Sequence, residues 1–295
     1  MVQVQFKIRT QLRQGEIDTV PHFVKEGETI SSDSYDEYPG GKGLNQSIAL
    51  AKSGAQVFHA GKIGKDGLFL KQQLALEGIS VEGIDEDGLI TGHAIIQVTP
   101  TGENCIFLYG GANKEITVEQ IDKVLEDFNS DDFLVLQNEI NCLDYLINAA
   151  YKKGLTIALN PSPISDSIKN LDFSKIDFLI LNEIEGREIS GEKSPNRILD
   201  HLLSNYSNLK VVLTLGTNGV IYRDNIQVHK QEAYKVKVKD TTAAGDTFLG
   251  YFLSMISQNP DIKFALIVAS KAASLAVSRK GSSSSIPILA EVLGK

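Results

Sequence analysis

Short aliphatic runs recur along the chain with segments of helical period between them, and this alternation restricts the fold more than any other feature. The strand-like runs are Val57–Ile63, His93–Thr99, Cys105–Tyr109, Phe133–Gln137, Thr156–Leu159, Phe178–Leu181, Lys210–Leu215 and Val220–Arg223. Four of them, beginning at Phe133, Thr156, Phe178 and Lys210, are short and continuously apolar, as strands buried on both faces are. Between them, Thr117-Val-Glu-Gln120 has the pattern of a capping box, and Val118, Ile121, Val124, Leu125 and Phe128 keep three- and four-residue spacing. A helix over Cys142–Lys153 stops at Gly154, and another carrying Leu44, Ile48 and Ala51 stops at Gly54. The pattern predicts an α/β fold with right-handed crossovers, a mostly parallel central sheet and helices on both faces. Ligands then bind at the carboxyl ends of the strands.

One region breaks the alternation. His93–Thr99 and Cys105–Tyr109 flank Pro100-Thr-Gly-Glu-Asn104, which reads as a hairpin with a glycine-containing turn, in a small sheet apart from the main one. No internal repeat or linker is evident, and Ser282–Ser285 is too short to be one. At 295 residues, 42% hydrophobic and 22% charged, the composition is that of a globular chain of one large or two ordinary domains. Lys plus Arg number 29 against 37 Asp plus Glu, a net charge of −8. That balance argues against a general nucleic-acid or anionic-membrane binder and leaves a local basic pocket open. Cys105 and Cys142 alone build neither a disulfide framework nor a cysteine-rich metal site. No apolar run approaches the roughly 18–20 residues of a membrane span. Lys7, Arg9 and Arg13 are followed by no apolar segment, so a secretory signal is not expected. The expectation is a cytoplasmic enzyme or binding protein.

The strongest chemical signal is Asp240-Thr-Thr-Ala-Ala-Gly-Asp246, followed by Thr247-Phe-Leu-Gly-Tyr-Phe-Leu-Ser-Met-Ile256. The second part is an almost wholly apolar helix, which belongs in a core. The first is small and flexible, and the amides of Ala243, Ala244, Gly245 and Asp246 at the helix start suit a phosphate or a developing anion. An isolated Asp at a helix start is ordinarily a cap. Small residues before Asp246 and a core helix behind it favour a functional role. Pro39-Gly-Gly-Lys-Gly-Leu-Asn45 also opens a helix: Gly40, Gly41 and Gly43 let a ligand approach the backbone, and Lys42 and Asn45 offer donors. It is not the dinucleotide fingerprint, because Gln46 stands at the third glycine and no strand is expected before it; nor is Gly61-Lys62 a Walker A sequence.

Asn182-Glu-Ile-Glu185 follows the run Phe178–Leu181. A carboxylate there can hold magnesium, or can simply occupy a helix's first turn, and the sequence favours neither. Glu139, in Gln137-Asn-Glu139, is similarly placed after Phe133–Gln137. Thr214-Leu-Gly-Thr-Asn-Gly219 taken alone is an ordinary hairpin turn. His22, His59, His93, His201 and His229 have no metal-ligand spacing, no Gly-x-Ser-x-Gly elbow occurs, and neither cysteine has a nucleophile's setting.

Together these motifs resemble the ribokinase-like (PfkB) carbohydrate kinase family, over nearly the whole chain from about Pro21. PGGKGLNQS and DTTAAGDTFLG stand in the family's order and distance, and NEIEG, TLGTNG, GENCIFLYGGAN and SRKGSSSSIP fit as well. The resemblance implies a three-layer α/β/α core with a small β-sheet lid, one kinase domain over residues 1–295. The lid would comprise about 1–36 and 89–112, the core about 37–88 and 113–295. It implies that Asp246 is the base for the acceptor hydroxyl and that the amides of Ala243, Ala244, Gly245 and Asp246 form an anion hole. Gly41, Lys42, Asn45, Glu139 and Asp246 look like sugar ligands. Asn182, Thr214, Gly216 and Gly219 look like nucleotide contacts, and Glu185 like part of a magnesium site. Asp240, Thr242, Ser285 and the carbonyls of Ala276, Arg279 and Gly281 match the family's monovalent-cation (K+) site. Ser270 falls where family members have His or Asn near adenine.

The N-terminus departs from the family, which opens with an apolar strand and a Gly-x-x-Asn-x-Asp element whose Asp holds sugar hydroxyls. Here Met1-Val-Gln-Val-Gln-Phe-Lys-Ile-Arg-Thr-Gln-Leu12 leads to Gly15-Glu-Ile-Asp18, the Asn has no counterpart, and Asp18 is the candidate for that role. Val2, Val4, Phe6 and Ile8 alternate with polar residues as in an edge strand. The expected reaction is ATP-dependent phosphorylation of a primary hydroxyl, D-ribose to ribose 5-phosphate, on the strength of Lys42 in GGKGxN and of Glu139. A nucleoside, deoxyribose or fructose is the alternative acceptor, and a catalytically weakened sugar- or nucleotide-binding homologue the rival class. A dinucleotide oxidoreductase is disfavoured by the missing fingerprint. Sugar and ATP, with Mg2+ and K+, are the expected ligands, without nucleic acid or membrane, and the resemblance suggests a homodimer through the lid.

Overall fold

The computed structural model describes residues 5–9, 13–101 and 103–295. Val2, Val4, residues 10–12 and Gly102, which entered the sequence expectations, lie outside the described residues. The chain begins with β1 (Gln5–Arg9), β2 (Arg13–Thr19), β3 (Ser34–Gly40), α1 (Lys42–Lys52), β4 (Gln56–Lys62), α2 (Leu68–Leu76) and β5 (Ser80–Asp85). The hairpin β6 (His93–Val98) and β7 (Asn104–Tyr109) follows, then α3 (Val118–Leu125), β8 (Phe133–Gln137), α4 (Leu143–Lys152), β9 (Thr156–Asn160) and α5 (Asp166–Lys169). Next come β10 (Phe178–Asn182), α6 (Glu183–Ser190), α7 (Pro195–Asn205), β11 (Lys210–Thr214), β12 (Val220–Arg223) and β13 (Val228–Gln231). The chain closes with α8 (Ala244–Gln258), α9 (Ile262–Val277) and α10 (Leu289–Leu293).

A nine-stranded sheet runs in the order β13-β12-β11-β10-β9-β8-β1-β4-β5. Its pairs are parallel from β11 to β5, while β11–β12 and β12–β13 are antiparallel. Side chains alternate between two buried faces. Val135, Ala158, Ile180 and Val212 pack with α1, α8 and α9, whereas Leu134, Leu136, Ile157, Leu159, Leu179 and Val211 pack with α4 and α7. The α/β fold with helices on both faces is therefore as the alternation predicts, and it explains why these strands read as unbroken apolar runs. No helix among the described residues is long and apolar enough to cross a membrane.

A separate four-stranded sheet runs β3-β2-β6-β7. The hairpin β6–β7 is antiparallel, His93 opposite Tyr109 and Val98 opposite Asn104. Two expectations are corrected here. The strand at Phe6 and Ile8 is not an edge: β1 pairs with β4 on one side and β8 on the other, so it belongs to the large sheet rather than to the lid segment. Pairing on both flanks overrides the alternating pattern that suggested an edge. And a strand does precede Gly41: β3, whose mixed and largely exposed residues give no apolar signal, runs into the glycine loop.

Helix ends fall near where the sequence puts them, but the capping box expected at α3 is only half made, because the Gln120 side chain donates to the Gly61 carbonyl at 3.2 Å instead of returning to Thr117. Thr117 caps α3 by accepting from the Gln120 amide, and Gly154 beyond α4 has φ +77°. The buried helices α1 and α8 cross so closely that a Cβ on Gly250 would lie 2.5 Å from Ala49 Cβ. This contact sets the distance between the two glycine-containing loops at the helix starts.

Candidate active site

The start of α8 is built by a left-handed residue. Ala243, with φ 60° and ψ 5°, turns the chain so that the helix begins at Ala244. The Thr247 amide reaches the Ala243 carbonyl at 2.8 Å, and the Ala244 amide leans on the Thr241 carbonyl at 3.3 Å. The amides of Gly245 and Asp246 have no carbonyl partner among the described residues. They stand at the positive end of a long buried helix, where an anion is favoured. Of the four amides expected in the anion hole, these two and that of Ala243, the residue before the helix, have no carbonyl partner among the described residues, and that of Ala244 is partly engaged.

Asp246 sits in the first turn with 8% of its surface exposed. Asn45 Nδ2 donates to its Oδ2 at 3.0 Å and Gln46 Nε2 to its Oδ1 at 2.9 Å, so α1 and α8 meet at this carboxylate. Gly41 caps α1 with φ 96°, a conformation that glycine adopts freely.

A cleft of about 350 Å³ opens in front. It is lined by Lys42 from α1, Asn160 at the end of β9, Asn182 and Glu185, Thr214 at the end of β11, and the stretch from Thr241 to Asp246. These are the carboxyl ends of adjacent parallel strands, where such sheets bind ligands. Asn182 and Glu185 hold each other in a capping box: Asn182 Oδ1 accepts from the Glu185 amide at 2.9 Å, and Glu185 Oε2 from the Asn182 amide at 3.0 Å. This carboxylate thus occupies a helix's first turn and also lines the cleft. The capping bonds use one Glu185 oxygen and the Asn182 carbonyl, which leaves the other oxygen and the Asn182 amide for a ligand.

The turn after Thr214 is the antiparallel hairpin β11–β12, with Gly216 at φ +57° and Gly219 at φ +87°. A Cβ on Gly219 would strike the Gln231 carbonyl oxygen at 2.0 Å, so only glycine fits.

Beside the cleft, Asp240 accepts from the amides of Thr242, at 2.9 Å, and Gly281, at 3.0 Å. Burial works against the charged carboxylate. The hydroxyl and amide of Thr242, the Gly281 amide and the charge of Lys280 outweigh it and hold Asp240 below the usual Asp range. The Ala276 carbonyl caps the end of α9 by accepting from Arg279, whose guanidinium pairs with Glu291. Ser285 is fully buried, its hydroxyl on the Ser282 carbonyl, and Ser282 Oγ reaches Asn45 Oδ1 at 3.0 Å. The segments around Asp240, Gly281 and Ser285 thus converge next to Asp246.

Gly41, Asn45, Gly216, Gly219, Asp240, Ala276, Arg279, Gly281 and Ser285 flank the cleft without lining it, and the three predicted residues not yet placed do not line it either. Ser270 is in α9, 9% exposed, and Glu139 is buried two residues beyond β8. Asp18 is in the small sheet, opposite Tyr35 and Gln97. Sequence reasoning missed Asn160, Thr241 and the Gln46–Gln137 contact. Asn160 carried a readable signal, a polar residue ending a buried strand, and its amide is tied to the Ile180 carbonyl at 2.9 Å.

A carboxylate beside open helix-terminal amides, a lysine and a capped Asn–Glu pair in one cleft is equipment for moving a phosphoryl group onto an alcohol. The chain belongs to the pfkB family of carbohydrate kinases, whose family model matches residues 15–289. It is accordingly a carbohydrate kinase. It is 37% identical to a ribokinase of Staphylococcus aureus, over 93% of each chain, and 31% identical to a deoxyribokinase of Salmonella typhi, over 89% of each. Its fold matches that of a Cryptococcus neoformans ribokinase solved in complex with ADP, at a TM-score of 0.85 and 29% identity over 99% of both chains.

Proposed function

We propose that the protein transfers the terminal phosphoryl group of ATP to the primary hydroxyl of a pentose, ribose in the first place, in the cytoplasm. The observation that carries this is the position of Asp246 at the start of α8, next to the open Gly245 and Asp246 amides and in one cleft with Lys42, Asn182 and Glu185. Phosphoryl transfer needs positioning and charge neutralisation more than covalent help. Asp246 takes the hydroxyl proton as the oxygen attacks, the two amides stabilise the charge on the transferring group, and Lys42, from the same cleft, holds the sugar. The greater identity to a ribokinase than to a deoxyribokinase supports ribose over deoxyribose.

The donor sets suit the expected ions. Magnesium takes one or two carboxylates and completes its shell with phosphate oxygens and water, so Glu185 suffices on the protein side; a bound ion would screen the phosphates. Asp240, Thr242 and Ser285 with the carbonyls of Ala276, Arg279 and Gly281 would supply an all-oxygen donor set, in which the Asp240 carboxylate is held towards its charged form. A monovalent ion there would brace the loop that presents the amides.

The N-terminal departure, with Asp18 on the small sheet, favours a second reading, a sugar binder with weakened catalysis. The apolar residues Tyr35, Tyr38, Ile106, Phe107, Leu108 and Tyr109, each about half exposed and spread over both faces of the small sheet, support a homodimer through this sheet. Light scattering on wild type and Phe107→Glu tests it, and a monomeric wild type removes it.

ADP release is measured across ribose, deoxyribose, fructose and nucleosides, with Mg2+ and with or without K+. Asp246→Asn lowers turnover at least ~100-fold while ribose still raises the melting temperature. Its new NH2 group faces either Asn45 or Gln46 donor to donor, so some stability is lost too. Wild-type turnover in this variant overturns the assignment, and ribose-induced stabilisation without ADP release in the wild type establishes the binder.

A further inference from the structure

The Asp246 carboxylate is gripped from behind by a chain of side-chain amides. Gln46 donates to its Oδ1 at 2.9 Å, and Gln46 Oε1 in turn accepts from Nε2 of Gln137 at the end of β8. Asn45 donates to Oδ2 at 3.0 Å and accepts from Ser282 Oγ. An ionised carboxylate only accepts, so it dictates which end of each amide faces it, and the Ser282 hydroxyl and the Gln137 amide supply the donors that the two amide oxygens then need.

Gln46 and Gln137 are each 1% exposed and neither lines the cleft, so neither is a ligand contact here. Gln137 Oε1 is buried without a hydrogen-bond partner. A pair of amides in an apolar interior, one with an unmade acceptor bond, is worse for folding than apolar side chains of the same size. Stability therefore gives no reason for them, whereas a fixed carboxylate does.

We propose that Gln46, backed by Gln137, is the positioning residue of Asp246. It locks the rotation of the carboxylate so that the lone pairs left free by Gln46 and Asn45 point at the acceptor hydroxyl. This rests on Asp246 being the base. The sheet thereby contributes to catalysis through β8 without touching either substrate.

The test is a cycle of Gln46→Met, Gln137→Met and the double variant, with Asp246→Asn in parallel, each assayed as full-length protein for kcat, both KM values and melting temperature. Methionine keeps chain length and removes the amide. Gln46→Met lowers kcat about 10- to 100-fold, as a misplaced catalytic group does, with KM for sugar and ATP changed less than about threefold. Gln137→Met lowers kcat in the same sense, and adds nothing in the Gln46→Met background, because it acts through Gln46. Wild-type kcat in a folded Gln46→Met, or kcat losses that multiply in the double variant, overturns the proposal. Should Gln46→Met not fold, Gln137→Met decides by its kcat-to-KM split. If Asp246→Asn itself keeps wild-type turnover, the base assignment fails instead, and the two failures are distinct.

Discussion

Gly250→Ala puts a methyl group where two helices already touch. Gly250 lies four residues beyond Asp246 on α8, and the new Cβ would be 2.5 Å from Ala49 Cβ and 2.9 Å from the Leu50 nitrogen. Carbon atoms rest about 3.5–4.0 Å apart, so the helices must part by about 1 Å. Ala49 is one turn from Asn45 and Gln46, whose bonds to Asp246 are 3.0 and 2.9 Å long. An opening of that size carries them past the ~3.2 Å limit of a good N–H···O bond. Overpacking costs about 1–3 kcal/mol, and replacing glycine by alanine inside a helix returns about 1 kcal/mol. The net loss of stability is therefore about 0–2 kcal/mol, while a 1 Å misplacement of a reacting group costs about 100-fold in rate. The expected signature is a near-native urea midpoint together with a collapse of ADP release. A Gly250→Ala protein about 1 kcal/mol more stable than wild type, with undiminished kcat, would show that helix propensity is all that changed and refute the close-contact argument.

Asn182→Ala removes the cap of α6 and the partner that orients Glu185. Thermal denaturation should show a loss of about 1 kcal/mol, and KM for ATP should rise. Asp240 has its carboxyl held below the ordinary 3.8, so its contribution to stability is complete above that value and fades as pH falls through the lower folded value. Denaturation midpoints of wild type and Asp240→Asn should diverge above pH 4 and converge below it; parallel curves would remove Asp240 from the account. Ala243→Gly relieves a left-handed alanine, a strain of about 1–2 kcal/mol, against about 0.4–1 kcal/mol of added unfolded-state entropy. Urea midpoints should be unchanged or slightly higher, and a clear drop would mean that the methyl group's packing outweighs the strain.

The parts of this molecule that the sequence announces are those whose physics is local. The runs at Phe133, Thr156, Phe178 and Lys210 have apolar centres because both faces of the sheet are covered, and the glycine loops before α1 and α8 need small residues wherever they occur. β1 hid because Gln5, Lys7 and Arg9 interrupt it, although its neighbours pair along both sides. β3 hid because most of its residues are exposed and polar. The grip on Asp246 was illegible for a different reason. Gln46 and Gln137 are 91 positions apart, and an amide in a strand or helix carries no periodic mark of what it will bond.

β3 ends at Gly40 and α1 begins at Lys42, so Gly41 is the entire joint between the small sheet and the helix that carries Lys42, Asn45 and Gln46. Any residue inserted at this joint would lengthen it directly ahead of the three side chains that α1 brings to the cleft and its carboxylate.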